Sequence, residues 1–585
     1  MRKFTADFET TTNEDKTNVW AYGISEIGHP ENFIYGTKLS DFILWCYKQK
    51  DNPQIYFHNL KFDGEFIINY LLKNGYTYFK DRKDKKDKSF TCLISSDGLF
   101  YSLEIYFKIG KYHDNKVTIY DSLKILNMSV EKVAKSFKLP IHKLEIDYTR
   151  HNDLPEGSPL TDEEVAYLRN DVEIMSRALY IMFEQGLNKM TIGSDALNVY
   201  KKMNPYFNDF FPVFSYELDS YLRESYRGGF TYLSPKYKEK ETGKGIVLDV
   251  NSLYPYCLHD KLMPYGDPVF YSGEYKEDKE YPLYIQKISC AFKVKPNKIP
   301  TLQLKNYTLF FMENEYIEDS KDEIFTFTLT SVDLKLFLDH YDTKYLTYEY
   351  GYKFKGIHGL FNSYIDRWTE EKIKAKKEGN SGMYTISKLL LNSLYGKFGT
   401  NPNARRKYPY LENDIVKYKM HDEERKEPIY LPIASFCTSY ARCKTIETSQ
   451  KIRDYSMEKY GVDYYIYSDT DSIHCLLDVE EVEEGVYKLT EKDKELESLI
   501  DIDDYKLGAW KIESRFKKGS YLRQKCYIEL GYNDELNVTV AGLPKALAHK
   551  VNFENFKTDL SIDGKLTFKH TKGGVVLVET TFSIK

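Results

Sequence analysis

The chain lacks any Cys-x-x-Cys pair among its eight cysteines, Cys46, Cys92, Cys257, Cys290, Cys437, Cys443, Cys475 and Cys526. That excludes the paired-thiol signatures of structural zinc and dithiol exchange, and the scattered thiols read as reduced core residues of a cytosolic protein. There is no opening apolar h-region and no long uncharged stretch, so neither export nor membrane insertion is expected. Internal repeats and low-complexity linkers are also missing, which argues against a solenoid or a disordered scaffold. A basic excess is missing too, since the formal net charge is −5. Phosphate neutralisation is local, so contact with nucleic acid has to come from clusters such as Lys372–Lys377, Arg405–Lys407, Lys517–Lys518 and the lysines between Lys545 and Lys572. The acids of Asp478–Asp504 offset them, and Lys80–Lys88, which alternates bases with Asp, reads as a solvated loop. Tyrosine is plentiful at 53 residues, but AT-rich coding DNA produces that abundance without any stacking role. At 42% hydrophobic over 585 residues, the chain has a globular composition and is too long for one core, so several domains are expected.

Three segments of the C-terminal two-thirds carry chemistry. In Tyr467-Ser-Asp469-Thr-Asp471-Ser, two acids follow the β-formers Tyr464–Tyr467. At a hairpin turn they share one small volume, where two charges ~5 Å apart repel by ~3 kcal/mol at an effective dielectric of ~20. A hard cation relieves that cost, although an isolated Asp-x-Asp is equally an acidic turn. Gly245–Val250 reads as a buried strand that delivers Asp249 near its tip, with Pro255 beyond the end of pairing. In Lys388-Leu-Leu-Leu-Asn392-Ser-Leu-Tyr395-Gly396, Lys388, Asn392 and Tyr395 share one helical face. Gly396 either ends that helix or admits a ligand. Lys pairs with phosphate as a point charge, and a Tyr ring suits a base.

The N-terminal third holds a second set of acids. Phe4-Thr-Ala-Asp7-Phe-Glu9 reads as a strand with Asp7 and Glu9 on one face. His58-Asn59-Leu-Lys-Phe62-Asp63 supplies a third acid from a loop. Tyr167 and Asp171 lie one turn apart on a helix that Thr161-Asp-Glu-Glu164 opens with a capping-box pattern. Acids drawn from a strand, a loop and a helix suit a hydrolytic site with two metal ions.

In order along the chain, Asp249-Val-Asn-Ser-Leu-Tyr254-Pro, Lys388–Gly396 and Tyr467–Ser472 resemble motifs A, B and C of family B DNA polymerases. The three N-terminal segments resemble the ExoI, ExoII and ExoIII motifs of their proofreading domains. The resemblance runs from Asp7 to the Gly573–Val578 tail and is strongest to the protein-primed replicative polymerases of small linear-genome bacteriophages. It implies a multidomain α/β fold, with an RNase H-like 3′–5′ exonuclease domain and a right-hand polymerase of palm, fingers and thumb carrying two insertions. The implied boundaries are exonuclease 1–189, palm 190–260 and 433–528, first insertion 261–358, fingers 359–399, second insertion 400–432 and thumb 529–585. A hairpin flanked by the turn residues Asn401-Pro402-Asn403 is expected in the second insertion.

The same resemblance implies the site residues. In the synthetic site Asp249, the Val250 backbone and Asp471 hold two Mg²⁺, Mn²⁺ being able to substitute, and Asp469 supports them. Val250, Tyr254, Lys376, Lys388, Asn392 and Tyr395 meet the incoming nucleotide, with Tyr254 excluding a 2′-hydroxyl. In the exonuclease site Asp7, Glu9, Asp63 and Asp171 hold two Mg²⁺, Tyr167 orients water and Lys143 assists. Thr10, Asn59, Phe62, Ser122, Leu123 and Tyr148 hold the single-stranded primer end. Tyr226, Arg227, Gly228 and Gly229 contact DNA between the two activities, Thr438 and Arg442 meet the template, and Lys525 and Tyr527 stabilise the primer terminus. The expected partners are primer-template DNA, dNTPs, a terminal protein primer and a single-stranded-DNA-binding protein, with no membrane. The implied protein is a monomer in the cytoplasm of an infected bacterial host that displaces strands without a helicase.

Overall fold

The computed structural model describes residues 1–303 and 316–585, and its architecture is mixed α/β. The part of the expected first insertion between residues 304 and 315 lies outside the described residues. Near the N-terminus a ten-stranded mixed sheet has Lys3–Thr10 paired antiparallel with Val19–Glu26 and parallel with Gln54–Phe57, which in turn runs parallel to Asn115–Asp121. Helices Leu60–Lys73 and Asp162–Glu184 pack on this sheet. The second helix begins as its sequence predicts. Thr161 Oγ1 accepts from the Glu164 amide at 3.2 Å and Glu164 Oε2 accepts from the Thr161 amide at 2.9 Å, a cap worth about 1 kcal/mol.

The outer strands of that sheet come from far along the chain. Arg406–Glu412 pairs with Ser89–Ser95, and Ile415–Met420 follows it as a hairpin. Its turn is Asn413-Asp414, both in the left-handed region at φ 52° and 65°, as a tight right-twisting hairpin requires. The expected hairpin therefore exists, with Asn401-Pro402-Asn403 flanking it. Those residues lie at its base, where Asn403–Ala404 pairs with Glu424–Arg425. The C-terminal hairpin Ser561–Thr571 with Gly574–Ser583 docks on the same region. The buried Glu65 carboxylate joins all three parts, accepting from Tyr418 Oη at 2.8 Å and lying 3.2 Å from His570 Nε2.

An eight-stranded antiparallel sheet forms the centre of the molecule. Its order is Leu536–Val540, Cys526–Gly531, Trp510–Arg523, Gly245–Val250, Ser472–Cys475, Tyr465–Asp469 and Thr231–Leu233, with Glu241–Thr242 pairing on Trp510–Arg523 outside that order. Gly245–Val250 is apolar on both faces because both are covered. Ile246, Leu248 and Val250 join the main core, while Val247 packs with Ile466, Tyr467, Phe516 and Tyr521 on the other side. Each such burial stabilises by about 1.5–3 kcal/mol. Alternation then puts Asp249 on the Val247 side. Helix Leu431–Tyr460 runs against this core.

Two further units attach to the centre. A four-stranded sheet, Met263–Ser272, Tyr341–Ile357, Leu283–Val294 and Phe325–Thr330, carries helix Ser331–His340. Antiparallel helices Asn362–Lys377 and Ser381–Phe398 project beside the central sheet. The second of these runs straight through Gly396, so the expectation that Gly396 ends the helix is corrected. A Cβ there would meet open space, which leaves the alternative of an approachable surface. The eight cysteines are unpaired and all but Cys443 are buried. Among the described residues no helix is long and apolar enough to cross a membrane.

Candidate active sites

The N-terminal acids converge over the strand Lys3–Thr10. Asp7 and Glu9 project from one face of it, and Asp63 Oδ1 accepts from the Phe8 amide at 3.2 Å. Asp63 lies in the first turn of helix Leu60–Lys73 rather than in a loop, which corrects that expectation. From the other side, Asp171 Oδ2 receives Lys143 Nζ at 2.5 Å, and Tyr167 Oη lies 2.9 Å from Tyr148 Oη. Burial and the nearby Asp171 push the Asp7 carboxyl up to about 7. Burial and Asp7 raise Glu9 and Asp63 well above the usual carboxylate range. Burial raises Asp171 as well, despite Lys143. Asp171 Oδ1 is buried without a hydrogen-bond partner. Carboxylates so placed, with one lysine among them, are short of positive charge, and divalent ions fit that need.

The primer-end residues divide into two groups. Asn59 and Tyr148 are exposed, and Thr10, Phe62 and Leu123 are half-buried around the acids. Ser122 is fully buried and donates to the Phe57 carbonyl at 3.0 Å. Its side chain ties the start of the Ser122–Lys124 turn to strand Gln54–Phe57.

The second site forms where three strands meet. Asp249 lies opposite Ser472 on one neighbouring strand and Lys511 on the other. Val250 donates its amide to the Asp471 carbonyl at 2.9 Å, and with its side chain buried only its backbone can face an ion. Asp469 ends strand Tyr465–Asp469, Thr470 turns with φ +61°, and Asp471 follows at the exposed turn. Burial, then Asp471 and Glu513, push the Asp249 carboxyl up to about 7. The protein flanking Asp471, with Asp469 and Glu513, raises that carboxyl too. Asp469 is handled differently, because Lys525 Nζ lies 2.8 Å from both of its oxygens. Thr231 Oγ1 and Tyr467 Oη each donate to Asp469 at 3.2 Å. The repulsion within Asp469-Thr-Asp471 is thus met in part by a lysine of the chain itself.

Facing Asp249 is a group of lysines. Lys388 and Asn392 are exposed on one face of helix Ser381–Phe398, and the Tyr395 ring stacks on Tyr254 with centroids 3.9 Å apart at 22°. Lys511 Nζ stands 3.9 Å from Asp249 Oδ2. Burial and the nearby Lys388 and Lys511 lower the Lys372 ammonium. Lys376 is exposed one turn further along. Lys372 was legible only as part of a basic run. Lys511 and Glu513 carry no motif, and only the pairing of Trp510–Arg523 with Gly245–Val250 brings them here. Among the described residues no group of three or more His, Cys, Asp or Glu side chains is arranged to hold an ion by itself, so an ion at either site would also need ligands from water or substrate phosphates.

The loop Tyr226-Arg-Gly-Gly229 abuts this site. A Cβ on Gly229 would lie 2.5 Å from Thr470 Oγ1, so glycine is required for the close approach. Tyr226 is half-buried, Gly228 is exposed, and Lys525 and Tyr527 lie beside Asp469 and Tyr467. Three of the expected DNA-contact residues also have partners inside the protein. Arg227 is buried and donates to the carbonyls of Thr328 and Gln303 at 3.0 and 3.3 Å. Thr438 is buried and donates to the Ala434 carbonyl at 3.0 Å. Arg442 is buried in an ion pair with Asp333 at 2.5 Å. Each guanidinium is committed inside the protein because leaving it unpaired there would cost several kcal/mol.

The sequence matches the family of type B DNA polymerases, organellar and viral, over residues 46–158 and 154–478. It is 41% identical to the DNA polymerase of Bacillus phage Nf, with all of both chains covered, and 33% identical to that of Streptococcus phage Cp-1, covering 100% of this chain and 98% of the other. The fold is similar to phi29 DNA polymerase in complex with primer-template DNA and incoming nucleotides, at 39% identity, full coverage of both chains and a TM-score of 0.90. The same polymerase with single-stranded DNA matches with a TM-score of 0.89. With an exonuclease-type sheet, palm, fingers and thumb in one chain, this protein belongs to the organellar and viral type B DNA polymerases and is a DNA-directed DNA polymerase.

Proposed function

We propose that this polymerase is replicative and proofreading, with synthesis and 3′–5′ degradation in separate carboxylate sites. The observation that carries the reading is Asp249 on its strand beside Asp471 in the turn that opens the neighbouring strand, facing Lys388, Lys372 and Lys511. Asp249, Asp471 and the Val250 backbone hold Mg²⁺, with Mn²⁺ able to substitute. Two ions held by these residues would supply activation of the 3′-hydroxyl and charge stabilisation for the transferring phosphoryl and the leaving pyrophosphate. The lysines, Lys376 among them, neutralise the triphosphate, and Asn392 holds it. Tyr254, whose ring stacks on Tyr395, excludes a ribose 2′-hydroxyl by steric clash. Lys525 fixes Asp469, so that acid supports the site while Lys525 and Tyr527 steady the primer end beside Tyr226, Gly228 and Gly229.

In the N-terminal site Asp7, Glu9, Asp63 and Asp171 hold the ions for hydrolysis. Tyr167, positioned by Tyr148, orients water, and Lys143 balances charge at Asp171. Thr10, Asn59, Phe62 and Leu123 receive the frayed primer, where each base–aromatic stack contributes ~1–3 kcal/mol. The partners are primer-template DNA, dNTPs, a terminal protein that supplies the first hydroxyl, and a single-stranded-DNA-binding protein. The enzyme acts as a monomer in the cytoplasm of an infected bacterium. The two insertions, 261–358 and 400–432, support protein priming and strand displacement. The domain boundaries proposed from sequence are retained, with hairpin Arg406–Met420 extending the exonuclease sheet.

The test is extension of a singly primed circle with Mg²⁺ and no accessory protein. Products longer than the circle are expected. Synthesis that stops at one circumference would reject strand displacement, and no synthesis would reject the assigned synthetic site.

A further inference from the structure

Helix Leu431–Tyr460 and the first insertion meet around one buried acid. Asp333, in the first turn of helix Ser331–His340, receives Arg442 Nε at 3.2 Å and Nη2 at 2.5 Å. Ser439 Oγ and Thr330 Oγ1 donate to the same carboxylate at 2.7 and 3.3 Å. Burial pushes the Asp333 carboxyl up, but Arg442, Arg227 and the hydroxyl of Ser439 outweigh it and hold it below the usual range. Asp333 is therefore a fixed negative charge facing one edge of a planar fork. The other arm of that fork, Arg442 Nη1, donates to the backbone carbonyls of Arg227 and Gly228 at 2.8 and 2.7 Å.

Those carbonyls belong to the loop that touches the motif C turn. Gly229 packs on Thr470, the residue between Asp469 and Asp471, with no room for a methyl group. The Thr470 amide donates to the Phe230 carbonyl at 2.7 Å, and Thr445 Oγ1 donates to the Thr470 carbonyl at 2.7 Å. Thr470 has φ +61°, a conformation that persists in a non-glycine residue only when its surroundings hold it. Its holders are the Gly229–Phe230 backbone and helix Leu431–Tyr460.

We propose that Asp333 is a positioning residue of the synthetic site: a carboxylate of the first insertion orients Arg442, which clamps the Arg227–Gly228 backbone and through it the turn bearing Asp469 and Asp471. The assignment rests on the synthetic site proposed above. It gives the first insertion a part in nucleotide addition that needs no partner bound to it. It also accounts for the buried Arg442, whose fork binds the protein's own backbone.

The test uses the full chain with Asp333→Asn, which keeps the shape and removes the charge, and Arg442→Lys, which keeps the charge and removes the fork. Amide hydrogen exchange is read peptide by peptide without metal or DNA. Faster exchange is expected in both variants at residues 225–232 and 466–472, with the insertion strand Leu283–Val294 unchanged. In primer extension kcat should fall by about 10–100-fold, as small misplacements of catalytic groups produce, while KM for dNTP changes little. The Mg²⁺ midpoint should rise, and degradation of single-stranded DNA should stay at the level of the parent. Asp333→Glu should recover part of kcat. The proposal is overturned if either folded variant loses thermal stability while loop exchange, kcat and the Mg²⁺ midpoint stay at parent values, since a plain structural ion pair behaves that way. If only Arg442→Lys folds, its exchange pattern decides alone. If the parent proves unable to extend primers, the synthetic assignment fails, and the exchange data still decide whether Asp333 holds the loop.

Discussion

Replacing Lys143 with Met probes the N-terminal acids most sharply. Lys143 Nζ lies 2.5 Å from Asp171 Oδ2, with the lysine 33% and the aspartate 4% exposed. Its charge opposes the shifts of Asp7 and Glu9 as well. Removing one partner of a buried pair costs about 3–5 kcal/mol. Because the lysine head is partly wet, screening reduces this to about 2 kcal/mol. Spread over a domain of this size, that lowers its unfolding midpoint by about 4–8 °C. The pH dependence has a definite sign. Asp171 is raised in the folded state even with Lys143 present, and without the lysine it rises further. A carboxyl raised above its unfolded value contributes fully below the unfolded pKa, and that contribution is lost as pH climbs through the folded value. The deficit of Lys143→Met should therefore be small near pH 5 and widen towards pH 8. Thermal unfolding in EDTA at pH 5, 6.5 and 8 measures it, and added Mg²⁺ should narrow the gap at pH 8. Single-strand degradation should fall by about two orders of magnitude with primer extension intact. A midpoint difference independent of pH, or unchanged degradation, would refute the charge-balance argument.

Other outcomes follow from the synthetic site. The Asp249 carboxyl keeps its proton up to about 7, so Mg²⁺ must displace it at lower pH. The Mg²⁺ midpoint for primer extension should fall by up to about tenfold per unit from pH 6 to 7 and level off by pH 8, and a flat midpoint contradicts this. Gly229→Ala drives a methyl group against Thr470, and extension should drop by more than about tenfold with degradation spared. Equal loss of both activities would count against the loop's local role. Tyr254→Val removes the ring stacked on Tyr395, and discrimination against ribonucleotides, read as a ratio of kcat/KM, should fall by about tenfold or more. An unchanged ratio would remove Tyr254 as the steric gate.

The parts of this fold legible in sequence are those written locally. Asp7 and Glu9 share a face because strands alternate, and Tyr167 and Asp171 because helices repeat every 3.6 residues. Thr161 and Glu164 announce their helix through a reciprocal cap. Gly245–Val250 declares a strand covered on both sides. What escaped depends on pairing across long separations. Lys525 neutralises Asp469 from 56 residues away. Lys511 and Glu513 reach Asp249 only through the register of two strands. The hairpin flanked by Asn401-Pro402-Asn403 was legible, but its pairing onto Ser89–Ser95 was not, because that contact spans some three hundred residues. Ser122, Arg227, Thr438 and Arg442 match DNA-contact positions, and only the fold shows that their side chains also satisfy buried backbone or a buried acid.

The central claim is that two independent carboxylate sites share this chain. It is tested most directly by measuring primer extension and single-strand degradation on the same preparations of Asp7→Ala and Asp469→Ala. Asp469→Ala should abolish extension and keep degradation, and Asp7→Ala should do the reverse. Loss of both activities from either variant, with folding intact by thermal unfolding, would contradict it.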